Sequence, residues 1–311
     1  MTSRRHFITG SLASGIGAMA ASITPASAQF QKTPSSKPKE SFRILHLTDV
    51  HMRPEYEAPE RFVKIMRHAI KSSGKIDFIL NGGDVIYAAD YSNISRERML
   101  KQWELFDNNI KPLFERYGAL SSLGNHDMWW AGKKDDPMRG KDYVLERLGQ
   151  KSRYMNVEKG GWVIFTLDCN NRGYLDTEQL EWLHAEYKKH EGKPMLIMSH
   201  QPLLEVAHVF GKGTSARQQE IIRPFIDSKA APVHFLSGHT HILDALAFKN
   251  LNFHCNGALS GAWWEPHIND KNCSVDGTPM GYGIIDLYPD GHLENQYIDV
   301  TDCADGKILK S

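Results

Sequence analysis

Cysteine is scarce in this chain, four residues in 311, and no two of them have the Cys-x-x-Cys spacing of a redox motif or a sulfur-ligated zinc site. Cys169, Cys255, Cys273 and Cys303 are left as structural or free thiols, and in an oxidising compartment four cysteines allow three disulfide connectivities. Surplus charge is also missing. Thirty-seven lysines and arginines balance 37 aspartates and glutamates, so nothing points to a nucleic-acid duplex or an anionic membrane as partner. Beyond residue 28 no run reaches the roughly 18 continuous apolar residues of a membrane-spanning helix, which excludes stable insertion there. There is no internal repeat, and the His-x-His-x-Asp-His run of metallo-β-lactamase-type hydrolases is absent. What remains is an ordinary globular composition, 41% hydrophobic and 24% charged, sufficient to bury a sizeable core.

Residues 1–28 read as a removable export signal. Arg4 and Arg5 precede a Gly/Ala-rich apolar stretch, and Ala26-Ser27-Ala28 has the small-residue form of a cleavage site. The run Ser3-Arg4-Arg5-His6-Phe7-Ile8 resembles the twin-arginine signal, which implies the twin-arginine export machinery as a partner and passage across the membrane as a folded chain. A weak membrane anchor is the alternative, opposed by Gly15, Gly17 and Pro25 within a short stretch. Cleavage takes away two arginines and no acidic residue, leaving 35 basic against 37 acidic groups. The expected product is periplasmic or secreted. A Pro/Ser/Lys-rich tether, residues 29–41, comes next.

From residue 42 short β-type runs alternate with helical spacing. The strands are expected at 42–47, 76–80, near 119–123, at 162–168, 194–200 and 233–239. Helices are expected at 59–73, as one long segment at 96–116, at 176–190 with Asp176 and Gln179 as its start signal, and around 215–228. This alternation predicts an α/β layered fold. From Leu243 the spacing shortens to runs at 243–248, 252–255, 282–288 and 293–300, which predict a mainly antiparallel C-terminal sheet. The domain is expected to span 42–300, with a tail at 301–311.

The chemistry lies at the strand ends. "FRILHL" is followed by Asp49 and His51, "IDFIL" by Asp84, and "GALSSL" by Asn125, His126 and Asp127; "PMLIMS" is followed by His200 and "VHFLS" by His239 and His241. Ligands of open α/β sheets sit outside the carboxyl ends of the strands, so five such clusters can converge. A nitrogen and oxygen donor set without sulfur suits zinc, iron or manganese and fits calcium poorly. Gly82, Gly83, Gly124 and Gly238 beside these residues allow tight turns and close backbone approach.

The series Asp49-x-His51, Gly83-Asp84, Gly124-Asn125-His126-Asp127, His200 and Gly238-His239-Thr240-His241 resembles the calcineurin-like metallophosphoesterases in order and spacing, over about residues 43–241. The resemblance implies two packed mixed β-sheets flanked by helices in a four-layer αββα sandwich, with two metal ions about 3.5 Å apart at the carboxyl edge. It assigns Asp49, His51 and His241 to one ion, Asn125, His200 and His239 to the other, and Asp84 as a bridge. The cofactors are then two divalent or mixed-valence ions of iron, manganese or zinc, and the substrate a small-molecule phosphate ester. Metal-activated hydroxide attacks phosphorus, His126 stabilises the transition state or protonates the leaving group, and Asp127 is expected to accept the ring N–H of His126.

Three features remain beside this pattern. Tyr87 stands three residues after Asp84, the spacing at which purple acid phosphatases place a tyrosinate on ferric iron; those enzymes lack a histidine at the position of His51, so Tyr87 is taken as packing. Trp129-Trp130 and Trp263-Trp264 read most simply as packing, with stacking on a base or sugar as the alternative. His46, His68, His184, His190, His208, His234, His254 and His292 lie outside the ligand pattern. A diester substrate is favoured over a monoester, because the Asp49-x-His51 form resembles the phosphodiesterase branch; a metal- or phosphate-binding protein without catalysis is the reading from another class.

Overall fold

Five short parallel β-strands end at one edge of the molecule, and they are the strands that carry the expected ligands. In the computed structural model the described residues are 40–170, 174–204, 219–226, 232–265 and 273–304. The signal, most of the tether, His208, His267 and the end of the tail lie outside them. Among the described residues no helix is long and apolar enough to cross a membrane.

The first sheet holds β1 (Phe42–Leu47), β2 (Phe78–Asn81), β3 (Ala119–Ser121), β10 (Gly281–Leu287) and β11 (Leu293–Asp299) in the order β11-β10-β1-β2-β3. The second holds β4 (Met155–Lys159), β5 (Trp162–Leu167), β6 (Met195–Ser199), β7 (Val233–Ser237), β8 (Asp244–Phe248) and β9 (Leu251–Cys255) in the order β4-β5-β6-β7-β9-β8. β1, β2 and β3 run parallel, as do β5, β6, β7 and β9, while β4, β8, β10 and β11 pair antiparallel. Both sheets are therefore mixed. The C-terminal strands pair antiparallel as expected, but they do not make a sheet of their own: β8 and β9 extend the second sheet, and β10 and β11 the first.

Alternation along each strand builds the layers. Ile44, Phe78, Leu80 and Leu120 of the first sheet meet Trp162, Ile164, Leu196, Met198 and Leu236 of the second in one buried cluster. The opposite face of the first sheet buries Leu45, Leu47 and Ile79 against Phe62 and Ile65 of α1 (Ala58–Ser72) and Trp103 and Phe106 of α2 (Arg96–Asn109). The outer face of the second buries Val163, Phe165 and Phe235 against Leu183 and Tyr187 of α5 (Thr177–Lys189). The order is helix, sheet, sheet, helix.

The expected long helix over 96–116 is two. α2 ends at Asn109, capped by Ile110, and α3 (Lys111–Tyr117) begins with Pro112 in its first turn, because a proline nitrogen cannot donate to the preceding turn and its ring clashes there. Of the helix expected around 215–228, the described part is α6 (Gln219–Ile222) followed by a 3-10 turn, Arg223–Phe225. α5 starts as expected, with the Asp176 side chain accepting from the Gln179 N–H at 2.9 Å. Three described elements were not anticipated: β4, an edge strand, α4 (Lys141–Leu148), which has no side-chain cap, and α7 (Thr301–Ala304), in the segment expected to be a tail. The short α7 closes the described chain. The Cys255 thiol donates to the Gly238 carbonyl at 3.2 Å, and burial pushes the Cys169 thiol up to about 12.

Candidate metal centre

Three of the five ligand-bearing turns hold a backbone that a side-chain-bearing residue rarely adopts. Asp49, His51, Asp84, His239 and His241 all have left-handed φ, between 45° and 69°, conformations that persist where the surroundings fix them. The turns interlock through hydrogen bonds: the Asp49 N–H donates to the Gly83 carbonyl at 3.0 Å, His51 N–H to the Asp84 carbonyl at 2.9 Å, and His239 N–H to Asp49 Oδ2 at 2.9 Å. No side chain fits between two of them. A Cβ on Gly124 would collide with the backbone nitrogen and Oδ1 of Asp84, and one on Gly238 with Thr48 and Asp49.

Seven expected ligand residues are brought together. Asp49, His51 and His241 form one buried group of donors, and Asp84, His200 and His239 a second. Asn125 joins the second group, its Oδ1 lying 3.0 Å from His200 Nε2. Asp84 Oδ2 stands between the groups, 3.2 Å from His200 Nε2 and 3.8 Å from His51 Nε2.

Lone pairs face one another here, which is the arrangement a cation satisfies. His51 Nδ1 donates to the Tyr87 carbonyl at 3.2 Å and His241 Nδ1 to the Gly261 carbonyl at 2.6 Å, so the bare nitrogens of both rings are their Nε2 atoms, 3.1 Å apart. His200 Nδ1 likewise donates to the Gly82 carbonyl at 2.8 Å, which turns its Nε2 toward His239 Nδ1, 3.1 Å away. Asp49 Oδ1 is buried, accepts no hydrogen bond, and lies 3.4 Å from His241 Nε2. A buried carboxylate oxygen that accepts no hydrogen bond is costly unless a cation pairs with it.

Burial pushes His51 down to about 3 and His239 down to about 4, so both rings stay neutral and able to coordinate. Burial also opposes charge on His200, but the Asp84 carboxylate outweighs it and pushes that ring up to about 9. Burial raises Asp49 and Asp84 as well; the surrounding imidazoles, His241 first for Asp49 and His200 first for Asp84, hold both carboxyls below the usual range instead.

His126 sits beside the donors without belonging to either group. Its backbone N–H donates to Asp84 Oδ1 at 2.8 Å, and its ring lies 5.4 Å from that of His51. The expected partner of this ring is corrected by the structure. His126 Nδ1 donates to Asp90 Oδ1 at 2.6 Å, whereas Asp127 turns inward and accepts the backbone N–H groups of Gly124 and Val85, both at 2.8 Å, and of Asp84 at 3.1 Å. Asp127 is fully buried, and its place is inside the two ligand turns, which it ties together. Burial and the Asp84 charge push it up to about 7. Burial lowers His126, but the Asp90 bond and the Asp84 charge outweigh it and raise that ring above its ordinary value. No spacing rule leads from Asp84 to Asp90; the loop between them brings the carboxylate back.

The Tyr87 ring lies 3.7 Å from the Arg53 guanidinium carbon and 6.5 Å from the Trp263 ring. Trp129 is buried and donates to the Ile94 carbonyl at 3.0 Å, Trp130 is exposed, and Trp264 is buried with its N–H on the Val50 carbonyl at 2.8 Å. Trp263 is different: its N–H donates to His51 Nε2 at 2.8 Å. The sequence reading took both tryptophan pairs as packing and missed this.

Two mixed sheets with paired nitrogen and oxygen donor groups at their carboxyl edge define a metal-dependent hydrolase that fits a dinuclear centre. The chain belongs to the calcineurin-like phosphoesterases, whose family profile matches residues 42–243. Among curated proteins none matches it. Among solved structures its fold is similar to that of a dimetal phosphatase from Danio rerio (TM-score 0.57, 11% identity, covering 83% of this chain and 98% of that one). It is also similar to purple acid phosphatase PPD1 from yellow lupin, Lupinus luteus (0.58, 13%, 85% and 52%), and to GAP50, the anchor in the inner membrane complex of Plasmodium (0.54, 12%, 83% and 84%). The chain therefore spans about half the length of the lupin protein. At these identities the likeness is one of fold. The enzyme is a metallophosphoesterase.

Proposed function

We propose that this metallophosphoesterase is an exported phosphodiesterase, active in the periplasm or outside the cell, with two ions of iron, manganese or zinc at its centre. The observation that carries the site reading is the place of Asp84 Oδ2 between the two donor groups, where one carboxylate can serve both. Two ions held there would generate hydroxide from water near neutral pH and neutralise the phosphoryl oxygens as charge moves in the transition state. The chain's own residues do the rest. Asp49, His51 and His241 hold the first position, and Asn125, His200 and His239 the second. Asp90 holds the Nδ1 proton of His126, which leaves Nε2 as the nitrogen that passes a proton to the leaving oxygen. Asp127 keeps the turns of Asp84 and Asn125 in register.

The preference for diesters rests on His51 standing among the donors while Tyr87 faces Arg53. The purple-phosphatase alternative needs Tyr87 on ferric iron, which a violet charge-transfer band would reveal. Export is supported by Arg4-Arg5 and Ala26-Ser27-Ala28, and the twin-arginine machinery would deliver a folded chain whose ions are loaded before export.

Metal analysis of protein exported in its native host, paired with assays on bis-p-nitrophenyl phosphate and p-nitrophenyl phosphate, tests the whole reading. Turnover of the diester should exceed that of the monoester; a metal-replete protein that hydrolyses neither would bring forward the non-catalytic binding protein. Asp84→Ala should lose activity and bound metal together. His126→Ala should keep both ions and lose about 10²- to 10⁴-fold in rate.

A further inference from the structure

The roles assigned so far leave Trp263 unexplained. It has a left-handed φ of 53°, and Trp264 beside it one of 68°; bulky residues rarely hold this backbone without a reason. What fixes the turn is visible. Trp264 is fully buried, its N–H donates to the Val50 carbonyl at 2.8 Å, and its backbone N–H to the Ser260 carbonyl at 2.8 Å. The Ser260 hydroxyl donates to the Asp49 carbonyl at 2.7 Å, and the Gly261 carbonyl receives His241 Nδ1. The turn is thus anchored on the first donor group, and Trp263 is the side chain it presents there.

The indole stands nearly perpendicular to three imidazoles: His51 at 5.6 Å and 86°, His241 at 5.7 Å and 80°, and His126 at 6.2 Å and 85°. Its N–H points at His51 Nε2, 2.8 Å away. Because Nδ1 of that ring is engaged with the Tyr87 carbonyl, Nε2 is the ring's one coordinating atom, and a lone pair serves one partner. A cation at Asp49, His51 and His241 takes that lone pair and releases the indole N–H. At a nitrogen–metal distance of about 2.0–2.1 Å, the released N–H lies within about 5 Å of the ion, close enough to reach an oxygen that approaches it. Trp263 is partly buried, and an indole N–H in such a place finds an acceptor.

We propose that Trp263 is a phosphate-binding residue: with the centre loaded, its indole N–H passes from His51 Nε2 to a non-bridging phosphoryl oxygen of the substrate. This rests on the phosphoester-hydrolase reading above. The assignment gives the strained turn a use, since it holds a rigid, single donor beside the first ion and within reach of the His126 side of the centre.

The test is calorimetric titration of the zinc-loaded full chain with inorganic phosphate, comparing wild type with Trp263→Phe, which keeps the ring and removes the N–H. The dissociation constant for phosphate should rise about tenfold in the variant, as for a lost hydrogen bond to a charged group, while two zinc ions per chain remain. Unchanged phosphate affinity, or loss of one zinc, overturns the assignment. A second measurement does not depend on the variant. In ¹H–¹⁵N spectra of the zinc-loaded wild type, one of the seven tryptophan indole signals should shift on adding phosphate, and no shift in any of them also overturns it. The two readings fail separately: a zinc-loaded wild type that binds phosphate but hydrolyses neither nitrophenyl ester sinks the hydrolase reading and leaves the phosphate result standing.

Discussion

A 2.6 Å hydrogen bond from His126 Nδ1 to Asp90 decides which nitrogen of that ring faces the reaction. Without it the imidazole is free to rotate and to change tautomer, so the cost falls on proton transfer and not on metal binding. Asp90→Ala should therefore lower kcat about tenfold or more while both ions stay bound. The loss should be larger for an alkyl ester than for a p-nitrophenyl ester, because p-nitrophenolate departs with little need of a proton. Equal losses on both esters would mean that Asp90 supports the loop and not the leaving group.

At the scale of elements, the centre is made by turns that follow strands, and their closeness leaves no room for a methyl group. Gly124→Ala drives a Cβ into the backbone and carboxylate of Asp84; this overpacking should cost about 1–3 kcal/mol of stability and empty the second donor group, read by urea unfolding and metal content. Much of this arrangement was legible beforehand. β1 has the predicted bounds, and Asp49, His51, Asp84, Asn125, His200, His239 and His241 were found because apolar runs close on Asp, Asn or His at the strand ends and because their order and spacing resemble the calcineurin-like pattern, which assigns them as ligands. Asp90 and Trp263 were not found, because they act across loops: neither is at a fixed spacing from the group it touches. β4 has an exposed edge and α4 no side-chain cap, so neither carries a strong local signal. Pro112 did carry one, and the break between α2 and α3 follows from it.

On the scale of the whole molecule, acid should weaken the fold away from the centre as well as at it. His234 on β7 and His254 on β9 stack at 8° with ring centroids 5.5 Å apart. Burial pushes His234 down to about 3 and His254 down to about 4. The unfolded chain takes up these protons near pH 6.5 and the folded chain refuses them, so their stabilisation is complete above pH 6.5 and is lost as pH falls toward 4 and then 3. The slope is about 1.4 kcal/mol per pH unit for each ring. Urea midpoints between pH 4 and 6.5 should show a shallower slope in His234→Leu, by about one proton, and an unchanged slope would refute the assignment. Each donor group, moreover, draws from both sheets: Asp49 and His51 follow β1 while His241 follows β7, and Asp84 follows β2 while His200 and His239 follow β6 and β7. Residues so far apart in sequence meet only after the sandwich has closed. Zinc should accordingly act on lifetime more than on assembly, slowing the unfolding limb of a chevron and leaving the refolding limb nearly unmoved. Faster refolding with zinc would place the closing of the two sheets before the transition state.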